Sequence, residues 1–155
     1  MEHIKIRTKI QNDMVLAMRA KDSERLGTIR LLMAAIKQSE IDKRTHGEHV
    51  ELDEAGILAV IEKLIKQRRE SIELYKSGNR EDLVKKEEAE IKVLQGYLPE
   101  QLTDDEVENL ITKALAESGA AAMKDMGKVM AILKVSLQGR ADIAKVSGQV
   151  KAKLT

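Results

Sequence analysis

One proline in 155 residues is the feature that most narrows what this chain can fold into. Proline removes a backbone donor and clashes with the preceding turn, so its near absence permits long uninterrupted helices. Strand formers are scarce too: there is no Phe or Trp, and Tyr75 and Tyr97 are the only aromatics. Leu, Ala, Met, Lys and Glu, all good helix formers, fill much of the chain. The predicted fold class is therefore all-α. With 43% apolar residues the chain can bury a core despite being 34% charged, and its length suits one domain or two small ones.

Apolar side chains recur at spacings of three and four. Ile6, Ile10, Met14, Ala17 and Met18 mark a first helix over about 4–20. Asp22 is placed to cap a second, carrying Leu26, Ile29, Met33 and Ile36 toward Arg44. Residues 45–51 lose the period and read as a loop. Asp53 is the expected cap of a long helix with Ile57, Ile61, Leu64, Arg68, Ile72 and Tyr75 on one face, ended by Gly78 in the left-handed conformation. Asn79 is the expected cap of the next helix, about 80–96. There Glu81 faces Lys85, Asp82 faces Lys86 and Glu88 faces Lys92, the favourable i,i+4 order of a solvated surface. Pro99 stops that helix, and Tyr97-Leu98-Pro99 reads as a packing hinge between two domains: 1–98, a bundle of about four helices, and 99–155, a three-helix tail. In the tail Thr103 and Glu106 form a capping box ahead of Val107, Leu110, Ile111 and Leu115, and Gly119 closes that helix. Helices over about 125–134 and 142–153 complete it, the last with Val146, Val150 and Leu154 at spacing four.

Several chemistries are excluded. Without cysteine there is no disulfide, thiolate zinc site, iron–sulfur ligation or cysteine nucleophile, which suits a reducing compartment, and the expected address is cytoplasmic. No stretch approaches the ~18 apolar residues of a membrane span, so neither signal peptide nor anchor is expected. The histidines are His3, His46 and His49. None follows a Glu at three residues, as bundle di-iron sites require, and His46 and His49 share a loop with no further ligand; no metal is expected. Neither glycine-rich phosphate loop pattern occurs, so no nucleotide cofactor is expected. Glu87, Glu88 and Glu90 sit among lysines on a solvated face, where burial cannot tune them, and no catalytic residue is assigned. Met14, Met18, Met33, Met126 and Met130 fall on apolar stripes, filling core gaps or, alternatively, lining a partner groove. Arg68, on an apolar face, either snorkels or pairs across the bundle.

Charge is balanced overall, 27 bases against 26 acids, but not locally. Residues 100–118 hold six acids and one base, whereas residues 119–155 hold seven bases, Lys124, Lys128, Lys134, Arg140, Lys145, Lys151 and Lys153, against Asp125 and Asp142. Residues 1–44 add ten bases against six acids. A basic tail is the electrostatic footprint of a phosphate backbone, although any helical surface is rich in lysine and a pI of 7.9 is modest. With no aromatic ring in the tail, RNA would be read through backbone and shape, not by stacking.

Beyond these patterns the chain resembles a known family. Asp13, Ala17 to Asp22, Arg25-Leu26 and Ile29-Arg30, then Lys66 to Ser71, then Gly78 to Val84, Glu87, Glu90 and the run Leu94 to Leu102, are similar to the YqeY family. Met123 to Met130 and Gly139-Arg140-Ala141-Asp142 resemble its C-terminal signature. The resemblance covers essentially the whole chain. It implies kinship with the tail domain of the GatB subunit of glutamine-dependent aminoacyl-tRNA amidotransferase, and with a module appended to some glutaminyl-tRNA synthetases, where the tail engages tRNA. The implied function is a bacterial-type tRNA-binding or tRNA-associated accessory protein, with a synthetase or amidotransferase subunit as a possible partner. A helical adaptor docking such a subunit through the Met-bearing N-terminal half is the alternative. Carbon–nitrogen ligase activity would be inherited in name only, since nothing resembles the catalytic domains. The expected nucleic-acid contacts are Lys128 and Arg140 first, then Lys124, Lys134 and Lys145. Gly127 is expected to allow a close backbone approach, Gly139 belongs to the same signature, and Asp142 is expected to cap the last helix.

Overall fold

A computed structural model of the chain describes residues 5–137 and 139–155; the expected start of the first helix at residue 4 and His3 lie outside them. The described residues form an all-α protein without strands: α1 (Ile6–Arg19), α2 (Ser23–Asp42), α3 (Glu54–Ser77), α4 (Glu81–Gln95), α5 (Asp104–Ser118), a single 3₁₀ turn (Met123–Asp125), α6 (Met126–Leu137) and α7 (Ile143–Leu154). The chain divides into two compact units, Met1–Leu98 and Pro99–Thr155.

The first unit is built around isoleucine. Ile10 of α1, Ile29, Leu32 and Ile36 of α2, Ile57, Ile61, Ile65 and Ile72 of α3, and Val84, Ile91 and Leu94 of α4 are buried together with Tyr97. A β-branched side chain in a helix has essentially one rotamer, so such a core is well specified without large rings. Helix ends are set by side chains the sequence announces. Asp22 accepts from the Arg25 N–H and Asp53 from the Gly56 N–H, each satisfying a free amide of the first turn.

Two ends differ from expectation. Gly78 has φ −91°, and the left-handed residue after α3 is Asn79, φ +56°. The Arg80 N–H donates to the Tyr75 carbonyl and the Asn79 N–H to that of Lys76, the paired bonds that close a helix with its left-handed residue one place later. Asn79 is thus spent ending α3, and α4 starts from Arg80 without a side-chain cap. The same closure ends α1: Lys21 is left-handed at φ +55°, and the Asp22 N–H donates to the Ala17 carbonyl. Asp82, expected to face Lys86, pairs instead with Arg80 at 3.2 Å.

The second unit packs Val107, Ile111 and Ala114 of α5 against Val129, Leu133 and Leu137 of α6 and Val146, Val150 and Leu154 of α7. Thr103 caps α5 by accepting from the Glu106 N–H, and Gly119, φ +67°, ends it. Asp142 caps α7 by accepting from the amides of Ala144 and Lys145.

Candidate nucleic-acid interface

The approach to α6 is fixed by Asp125, whose carboxylate accepts from the N–H groups of Ala121 and Ala122. With Val129, Leu133 and Leu137 turned inward, the helical period sends the other face outward. Lys124 of the 3₁₀ turn and Lys128 and Lys134 of α6 are all exposed, as is Val135 at 85%; Lys128 and Lys134 stand about 120° apart around the helix at 3.6 residues per turn. Lys128 and Lys134 are about 9 Å apart along the axis at 1.5 Å per residue. Among the described residues none of the three lysines is in an ion pair, and the same holds for Lys151 on α7.

The remaining tail cations are engaged inside the unit. Lys145 reaches Asp104 at 3.5 Å and Lys153 pairs with Glu108, both partners lying on the acidic α5. Such exposed pairs contribute at most about 1 kcal/mol, but the carboxylates cancel much of the field a phosphate would meet. Arg140 is half-buried. Its Nε donates to the Glu100 carbonyl at 3.3 Å, and its own carbonyl accepts from the Leu102 N–H at 2.9 Å. Next to it Gly139, buried at φ +74°, offers its carbonyl to Gln101 Nε2 at 2.6 Å. The Pro99–Leu102 segment and the Gly139–Asp142 turn, separate stretches of the family resemblance, thus form one clasp, and Arg140 is part of it. Gly127, expected to admit a close backbone, has open space where a side chain would stand: nothing lies within 4 Å. Among the described residues the tail cations outside any ion pair or side-chain hydrogen bond are therefore Lys124 on the 3₁₀ turn, Lys128 and Lys134 on α6, and Lys151 on α7.

The first unit resolves residues whose role the sequence left open. Arg68 pairs across its bundle: Nε donates to Glu90 of α4 at 2.8 Å and Nη1 to the Leu64 carbonyl, with both charged side chains largely buried. Tyr97, 6% exposed, is a core residue of this unit and donates to Asp13 at 2.7 Å, while Arg25 stands 3.8 Å from the same carboxylate. Burial, then the bond to Asp13, pushes the phenol well above its usual range. Lys9 lies over the Tyr97 ring, 5.6 Å from its centre. Glu40 is buried. Burial alone would raise its carboxyl, but the Leu52 N–H at 2.8 Å and Arg7 at 2.6 Å outweigh that and hold it below the ordinary value. His46 and His49 are exposed in the loop before α3, and among the described residues no three His, Asp or Glu side chains gather as a metal site.

Fold and surface together define a small all-helical protein of two units, each with its own core. The chain belongs to the YqeY family: the family model described as Yqey-like protein matches residues 7–154. It is similar to proteins named altered inheritance of mitochondria protein 41, mitochondrial. The one from Vanderwaltozyma polyspora is 36% identical over 76% of this chain and 64% of its own length. The one from Lachancea thermotolerans is 38% identical over 77% and 65%, and that from Pyrenophora tritici-repentis 36% over 86% and 71%. The chain therefore spans just under two thirds of the first two relatives. These relatives are fungal and carry a mitochondrial designation, which corrects the cytoplasmic expectation and lends the bacterial-type one no support. The reason is simple: absence of cysteine suits any reducing compartment and does not choose among them.

Proposed function

We propose that the C-terminal unit binds tRNA through its sugar–phosphate backbone, with Lys124 of the 3₁₀ turn and Lys128 and Lys134 of α6 as principal contacts and Lys151 of α7 in support. The observation that carries this reading is that these lysines are exposed and unpaired among the described residues while Lys145 and Lys153 face acids of α5. Arg140 enters as a positioning residue that holds the turn ahead of α7. The address proposed with this function is mitochondrial, on the designation of the relatives.

Filter binding of tRNA across a salt series tests it. Four neutralised phosphates give a slope of log affinity against log salt of about −3 to −4, and replacing Lys124, Lys128 and Lys134 with Ala flattens it to about −1. Arg140→Ala lowers thermal stability without a comparable change of slope. Absence of binding at low salt, or an unchanged slope in the triple variant, ends the proposal.

A further inference from the structure

Three of the bases in the first unit stand at a constant interval. Arg30, Lys37 and Arg44 are seven residues apart, a spacing that returns to nearly the same face of a helix. Arg30 and Lys37 lie on α2 and Arg44 just past its last residue, Asp42, and the Lys43 cap. All three are exposed, and among the described residues none is in an ion pair. Apolar residues fill the intervals: Met33 and Ala34 in the first, and Ile41, 42% exposed, in the second.

This strip borders a concavity. Ile10 of α1 and Met33, Ala34 and Ile36 of α2 line a cleft of about 360 Å³, with Lys37 and Arg44 at its rim. Of the cleft's other polar side chains, Arg7 and Glu40 are closed on each other at 2.6 Å, and Gln11 and the exposed His49 complete the lining. Outside the cleft, Met14 and Met18 follow Ile10 along α1 at steps of four; Met14 packs against the core and Met18 is 50% exposed.

We propose that this groove receives an acidic amphipathic helix of a partner protein, its apolar side chains entering the cleft and carboxylates at heptad spacing meeting Arg30, Lys37 and Arg44. Charge complementarity and dimensions both favour that occupant. The strip is about 20 Å long at 1.5 Å per residue, the length of a helix of roughly four turns. Thioether and aliphatic walls adapt to apolar anchors at i, i+3, i+4 and i+7. An RNA backbone would satisfy the cations but leave Ile41 and the Met33 wall in water, and a flat anionic bilayer would not enter a recess between two helices. The inference involves other residues on another unit and stands independently of the tRNA reading.

The test follows methyl resonances of Ile10, Met18, Met33 and Ile41 in the full chain. The probes are a synthetic 21-residue helix with Leu along one stripe and Glu flanking it at heptad positions, its twin with every Glu replaced by Lys, phosphatidylglycerol vesicles, and tRNA. The acidic helix shifts these methyls, and the basic twin binds about tenfold more weakly, as two or three rim charges allow. R30E/K37E, at exposed positions, keeps the melting temperature and reverses the preference. The chain with Lys124, Lys128 and Lys134 replaced by Ala binds the acidic helix as before. Equal binding of both helices, no shift at these methyls, or a larger shift from vesicles or tRNA overturns the proposal.

Discussion

Replacing Tyr97 with Phe removes one oxygen from the core of the first unit and nothing else. The ring stays, so no cavity opens; what is lost is a 2.7 Å hydrogen bond to the Asp13 carboxylate. Hydrogen bonds to charged groups contribute about 1.5–3 kcal/mol. Asp13 keeps Arg25 at 3.8 Å and is 18% exposed, so water recovers part of the loss and the lower half applies, about 1.5–2 kcal/mol. In a domain of this size that lowers the melting temperature by roughly 6–16 °C. Calorimetry of the full chain reads it, with Asp13→Asn and the double variant completing a cycle in which the two losses do not add. Alkaline pH gives a second check. The folded state holds the phenolic proton above the ordinary value of 10.0, so stability is intact below pH 10 and drains as pH rises past it, because only the unfolded chain releases the proton cheaply. The variant has no proton to lose there, so its deficit narrows above pH 10. A deficit under about 0.5 kcal/mol, full additivity with Asp13→Asn, or a deficit unchanged at pH 11 refutes the reasoning.

The other predictions concern charge and backbone. Arg68→Ala strands Glu90 in a largely buried site and costs about 3 kcal/mol in urea unfolding, whereas Arg68→Met with Glu90→Leu is close to neutral. Glu40 is held below its ordinary value of 4.5, so the stability it supplies is present above that pH and is lost as pH falls below it; thermal scans from pH 6 to 3 show a shallower acid loss in Glu40→Gln, from a lower starting point. Lys21→Gly relieves the left-handed residue after α1 and raises stability by roughly 0.5–1 kcal/mol in the same scans. Asp142→Ala removes the α7 cap and costs about 0.5–2 kcal/mol, read as an earlier transition of the second unit.

What could be read from residue order was whatever depends on neighbours three or four places away. The stripe of Ile57, Ile61, Ile72 in α3 and the caps at Asp22, Asp53, Thr103 and Asp142 are local, and all appear where periodicity and cap chemistry put them. Arg68 stayed undecided because its answer, Glu90, lies 22 residues on and only the α3–α4 packing brings it near. Tyr97 looked like a hinge residue because Asp13 is 84 positions away. The closure at Asn79 failed for a subtler reason: Gly is the usual left-handed residue, but Asn tolerates that conformation, and the pair Gly78-Asn79 offers both. In the tail, summing charge over residues 119–155 could not reveal that Lys145 and Lys153 face α5 or that Arg140 is tied to Glu100. The seven-residue interval of Arg30, Lys37 and Arg44 was present in the sequence, but regional sums of charge hide a period.

Thr103 looks like a natural place to begin an excised tail, since a capped helix starts there. Such a truncation would discard the partners of the Gly139–Arg140 turn: the carbonyl of Glu100, the amide of Leu102 and the side chain of Gln101. The segment Pro99–Leu102 before the cap therefore belongs to the tail's fastening, with Gln101 also bonded to the Pro99 carbonyl, and a fragment meant to report on the tail alone must start no later than Pro99.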